Sequence, residues 1–150
     1  MNHIITEMEL IFATHNKNKV NEILLLLPSN FKIKTLDELN YSDSIIENSD
    51  SIEGNALIKA RSIFNRFKKN CFADDSGLEV NALDGEPGVN SAIFAGKKKN
   101  DNKNIRKLLS KLIEFNDKKA QFRTVIALIL NNQEFIFEGT LKGSIIAEKR

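Results

Sequence analysis

The chain carries a single cysteine, Cys71, so no internal disulfide can form, and no histidine or second cysteine stands at zinc-ligand spacing beside it. A lone thiol fits a reducing, cytoplasmic setting. An excess of one charge is also lacking. The 22 Lys+Arg against 20 Asp+Glu leave a net charge of +2, without the global field that marks a nucleic-acid binder, so any anion site must be local. No basic start followed by a long apolar run opens the sequence, and its longest apolar stretches, 23–27 and 125–130, fall far short of a bilayer span. A soluble protein is therefore expected, with neither a membrane nor a nucleic-acid partner. No repeat or strongly biased segment marks a linker. With 150 residues, about two-fifths of them hydrophobic, one domain over 1–150 with a real core is expected.

Hydrophobic periodicity supplies the elements. Residues 8–13 are apolar and run into the polar loop 14–19, after which Val20, Ile23, Leu24 and Leu27 recur at helical spacing until Pro28. Phe31 and Ile33 alternate with lysines as a second strand, and 37–50 is polar loop. Ser51 can cap a helix to about Lys69 whose stripe is Ala56, Leu57, Ala60, Ile63, Phe64 and Phe67. A short strand at 71–73 then meets the turn-like Asp74-Asp75-Ser76-Gly77, and alternation resumes at 78–80 before Asp84-Gly85-Glu86-Pro87-Gly88. A basic loop at 97–99 precedes a helix over 102–115, and three strands follow at 121–130, 134–141 and 144–147, with a turn at Asn131-Asn132 and a bend at Gly143. Helices early and a meander late predict α/β architecture, a mixed β-sheet flanked by helices.

Four segments can carry chemistry. The loop Thr14-His15-Asn16-Lys17-Asn18-Lys19 joins a strand to a helix, where free amides and the positive helix end favour an anion. The same residues also suit an ordinary N-cap with solvated lysines. In Asp74-Asp75-Ser76-Gly77 the adjacent carboxylates repel by about 4 kcal/mol at about 4 Å and an effective dielectric of about 20, a strain that a hard cation relieves. Taken by itself this tetrapeptide reads more readily as a hairpin turn, which would put its side chains in water. In a strand only one of the two aspartates faces a given ligand, and Asp75 is favoured for the chemistry. Asn55 and Lys59, four residues apart behind Glu53, share a helix face that can offer an amide and an ammonium to phosphate, or can simply lie on its exposed side. The turn Pro87-Gly88-Val89-Asn90-Ser91-Ala92 allows close backbone approach at Gly88.

Taken together and in this order, the segments resemble the inosine triphosphate pyrophosphatase family, enzymes that clear non-standard purine nucleotides. The matching text is Ala13 through Lys19, Glu53-Gly54-Asn55-Ala56-Leu57-Ile58-Lys59-Ala60, Ala73-Asp74-Asp75-Ser76-Gly77-Leu78-Glu79-Val80 and Gly85-Glu86-Pro87-Gly88-Val89. The resemblance implies hydrolysis of ITP, dITP or XTP to monophosphate and pyrophosphate with Mg²⁺, by a dimer. Thr14, Asn16 and Lys19 would bind the triphosphate within the loop that also holds His15, Lys17 and Asn18. Asn55 and Lys59 would reach phosphate, and Ser76 would contact substrate. Asp75 would be both metal ligand and general base, Asp74 would support or share the metal, and Glu53 would be a further metal carboxylate.

Three departures accompany the match. Gly54 stands where the family often has glutamate, and Ile93 follows Ser91-Ala92 where the family usually has arginine. Family chains continue beyond the strand at Gly143 into a Phe-Gly-Tyr-Asp-Pro loop, a lysine and a Ser-His-Arg tail that recognise the base, whereas this sequence ends at Lys149-Arg150. A chain without the base-recognition segment is therefore expected. It would act as the pyrophosphatase, as one unselective for the base, or as a non-catalytic remnant that binds nucleotide or a partner.

Overall fold

A computed structural model describes residues 7–148. Its strands are β1 (Met8–Phe12), β2 (Phe31–Thr35), β3 (Cys71–Val80), β4 (Pro87–Gly88), β5 (Lys119–Leu130) and β6 (Gln133–Ser144). Its helices are α1 (Lys17–Leu26), α2 (Ile52–Phe67) and α3 (Asp101–Leu112), with 3-10 turns at Asn81–Leu83 and Ser91–Ile93. The strands lie in the order β2-β1-β3-β5-β6, with β4 beside β3. β1 is parallel to both β2 and β3, and β4 is antiparallel to β3, which gives the mixed α/β sheet expected.

The described chain divides into two compact units, each with its own core. The first holds residues 7–49, 53–74 and 126–137. There Leu10, Phe12, Val20, Ile33 and Phe72 bury together, packed by Ile23, Leu27, Phe31, Ile126, Leu128 and Leu130. The Phe12 and Phe72 rings stack at 4.4 Å, a geometry worth about 1 kcal/mol beyond the area buried. Asn131 and Asn132 both have positive φ, the pair of left-handed residues that a two-residue turn between twisted strands requires. The second unit holds residues 50–52, 75–125 and 138–148. Val80, Phe94, Leu108, Leu112 and Ala120 form its core, and the Lys107 ammonium lies 4.4 Å from the centre of the Phe94 ring.

Three sequence expectations change. Asp74-Asp75-Ser76-Gly77 is not a turn, because β3 runs through it without a break. The turn-forming Gly77 serves packing instead: a Cβ there would lie 2.3 Å from the Gly88 carbonyl oxygen and 2.9 Å from Ile52 Cδ1. The bend expected at Gly143 is likewise absent, since β6 continues to Ser144, and the separate strand over 144–147 does not form. Apart from its chain neighbours, nothing lies within 4 Å of where a Gly143 Cβ would be, so no close packing requires glycine there. The third helix starts at Asp101 and ends at Leu112, three residues before Phe115, where Asn100 caps the start through the Lys103 amide at 3.0 Å.

Candidate active site

In the loop after β1, side chains satisfy most of the backbone that a phosphate was expected to use. Asn16 is the N-cap of α1: its Oδ1 accepts from the amides of Asn18 at 3.0 Å and Lys19 at 3.3 Å. The Asn16 amide donates to Thr14 Oγ1 at 3.1 Å. His15 Nε2 sits 3.0 Å from the Asp43 carbonyl, and its ring is nearly parallel to Tyr41 with centres 6.2 Å apart. Asn18 is exposed, and Lys17 reaches Asp37 at 3.5 Å on the surface. A cavity of about 250 Å³, lined by Thr14, His15, Lys17, Asn21, Thr35 and Asp37, opens beside this loop. It is smaller than the usual small-molecule pocket and suits a phosphate group better than a whole nucleotide.

Lys19 turns inward. Its Nζ donates to Asp74 Oδ2 at 2.6 Å, with the aspartate side chain only 12% exposed. This contact joins two sequence motifs 55 residues apart. The other carboxylate oxygen, Asp74 Oδ1, is buried and has no hydrogen-bond partner among the described residues. An ionised carboxylate holds several acceptor sites, and one left dry is costly unless a water or cation meets it.

On α2, Asn55 is buried and its Oδ1 accepts from the Ser49 amide at 3.0 Å, so its side chain fastens the loop preceding the helix. Lys59 meets Glu47 at 3.1 Å. Glu47 carries no signal in the sequence, since it lies in a polar loop without periodicity. Glu53 is exposed in the first turn of α2. Among the described residues no group of three or more His, Cys, Asp and Glu is placed to hold a metal ion.

In the second unit Ser76 Oγ lies 2.9 Å from Thr124 Oγ1 of β5. Glu79 meets Gln121 at 2.7 Å and Arg123 at 3.8 Å on the same strand. Side chains alternate along a strand, so even-numbered residues of β3 face even-numbered ones of β5 and odd face odd. Asp75 Oδ2 is buried. Backbone after this segment is locked: Leu78 pairs with Gly88, and Ser91 Oγ accepts from the Leu78 amide at 2.8 Å and donates to the Gly88 carbonyl at 2.6 Å. Ile93, at the family's arginine position, is 45% exposed.

Comparison with known proteins agrees with the motif resemblance. The family model described as the Ham1 family matches residues 10–150. A protein of Flavobacterium psychrophilum named dITP/XTP pyrophosphatase is 46% identical over 95% of this chain and 75% of its own length. One of the same name from Porphyromonas gingivalis is 48% identical over 95% of this chain and 74% of its own. Among solved structures, a HAM1 protein from Coxiella burnetii superposes with a TM-score of 0.88 at 35% identity, covering 95% of this chain and 75% of the other. The Staphylococcus aureus Ham1 protein gives 0.86 at 37% identity, covering 95% and 74%. Sequence and fold agree over nearly the whole chain, which belongs to the Ham1 family.

Proposed function

We propose that this chain is a nucleoside triphosphate pyrophosphatase that hydrolyses ITP, dITP and XTP to the monophosphate and pyrophosphate. The observation that carries the reading is the Lys19–Asp74 contact, which ties the loop after β1 to Asp74 of the acidic motif. Relatives named dITP/XTP pyrophosphatase support the substrate class. Lys19 and Lys59 supply positive charge to a triphosphate, and Thr14 and Asn16 shape the loop that meets it, with His15, Lys17 and Asn18 at its rim. Asn55 acts by holding the loop at Ser49. Ser76 offers a hydroxyl to the substrate.

The donor set fits a magnesium ion. Mg²⁺ prefers carboxylate oxygen, usually takes one or two carboxylates from the protein, and fills its remaining positions with water and substrate phosphate. The Asp75 carboxylate, with its buried Oδ2, offers an oxygen of that kind. Asp75 would hold the ion, and water and substrate phosphate would fill its other positions. When bound, such an ion neutralises phosphate charge. Asp75 takes a proton from water, the water oxygen bonds to the α-phosphorus, and the bond from that phosphorus to the bridging oxygen breaks, so pyrophosphate leaves with the electron pair. The cytoplasmic setting and the homodimer belong to the same proposal, the first from the lone buried thiol and the second from the family.

The test is pyrophosphate release with ITP, XTP, ATP and TTP side by side, with and without Mg²⁺. Magnesium-dependent release that favours ITP and XTP is expected. Equal rates on all four would replace the purine selectivity with an unselective pyrophosphatase. Binding of a non-hydrolysable analogue without turnover would make the chain a non-catalytic nucleotide binder.

A further inference from the structure

Thr124 belongs to none of the four motifs, yet its hydroxyl lies 2.9 Å from Ser76 Oγ, within hydrogen-bond distance. Both residues are half-buried, so the pair is neither closed inside the core nor loose on the surface. We propose that Thr124 is a positioning residue, whose hydroxyl fixes the Ser76 side chain so that Ser76 presents its own proton to an anionic oxygen of the substrate. This rests on the pyrophosphatase reading above and adds a residue to it.

The argument is one of proton count. Each hydroxyl has one proton and two acceptor positions, and either atom of this pair can be the donor. If Ser76 donates to Thr124, it has no proton left for the substrate. If Thr124 donates to Ser76, the serine proton is free, and the accepted bond polarises it toward a negative oxygen. A triphosphate beside Ser76 selects the second arrangement. The two residue types suit these roles. Serine is small and unbranched and turns readily about χ1, whereas threonine is β-branched and stiff at χ1, held here on the twelve-residue strand β5. Flanking contacts fix the frame, since Arg123 pairs with Glu138 at 2.7 Å and Gly77 admits no side chain against Gly88.

The test is a double-mutant cycle on the full chain, reading the Kd of a non-hydrolysable ITP analogue by calorimetry and the KM and kcat for ITP. Thr124→Val keeps the branched shape and removes the hydroxyl. It should weaken binding and raise KM about fivefold, the value of one ordinary hydrogen bond, with kcat little changed. Thr124→Ser should restore most of the loss. In a Ser76→Ala background, Thr124→Val should have no further effect, because the group it positions is gone. Equal loss from Thr124→Val in both backgrounds would overturn the positioning role, as would no loss in the wild-type background while Ser76→Ala binds weakly. Melting temperatures show whether a variant has merely lost its fold, and Thr124→Ser remains decisive if Thr124→Val does. A wild-type chain that neither binds the analogue nor hydrolyses ITP would overturn the function itself, an outcome distinct from a failed cycle.

Discussion

The turn 14–19 and the strand segment 74–78 are both polar interruptions of apolar sequence, and the fold treats them in opposite ways. In the turn, polar groups satisfy one another: Thr14 takes the Asn16 amide, and Asn16 takes those of Asn18 and Lys19. Along the strand, the Leu78 amide is fixed by Ser91 while the Asp74 Oδ1 atom remains without a hydrogen bond among the described residues. Unspent acceptors on rigid backbone are where a cation and a phosphate can be received without rearranging the chain. The turn is then a cap that aims Lys19, and in the proposed reaction the strand carries the chemistry.

That contrast can be broken at several points. Asp75→Asn should lower kcat for ITP about 10²- to 10⁴-fold, as loss of a general base does, with the melting temperature nearly unchanged; a near-normal rate would remove Asp75 from the reaction. Gly77→Ala places a methyl group 2.3 Å from the Gly88 oxygen, so the strand must shift. Denaturant unfolding should show a loss of about 3 kcal/mol, and an unperturbed variant would mean that the β3–β4 backbone is not rigid. Lys19→Met leaves Asp74 nearly buried and without its cation. About 2 kcal/mol of stability should go, less than for a fully buried pair because Lys19 is partly in water, and triphosphate affinity should fall with it. Asn16→Ala should cost about 1 kcal/mol in the same unfolding assay, the usual value of an N-cap. If Asn16→Ala instead abolished triphosphate binding without altering stability, the turn would be a ligand site rather than a cap.

Much of this was legible in sequence because local chemistry dictates it. Val20, Ile23 and Leu27 stop at Pro28, and α1 ends at Leu26. Asn131 and Asn132, tolerant of left-handed backbone, give the hairpin turn. What stayed hidden depends on partners distant in the chain. Gly77 reads as a turn residue until Gly88 is seen against it, and only then is β3 a single strand. Asn55 and Lys59 stand four residues apart on one helix, but that spacing cannot reveal that Ser49 and Glu47 meet them. Thr124 carries no local signal, being one more β-branched residue in a strand.

Cys71 shows the same dependence on distant packing. Its thiol donates to the Ala60 carbonyl at 3.3 Å, and burial pushes its pKa up to about 12. The folded protein therefore keeps the proton at pH values where the unfolded chain releases it, so this group's contribution to stability is lost as pH rises above the ordinary thiol range.

The central claim is that water attacks the α-phosphorus of a purine nucleoside triphosphate. Hydrolysis of ITP in ¹⁸O-enriched water, followed by mass spectrometry of both products, tests it directly. The account predicts one heavy oxygen in the monophosphate and none in pyrophosphate. Label in pyrophosphate, or release of inorganic phosphate with a nucleoside diphosphate, would contradict it.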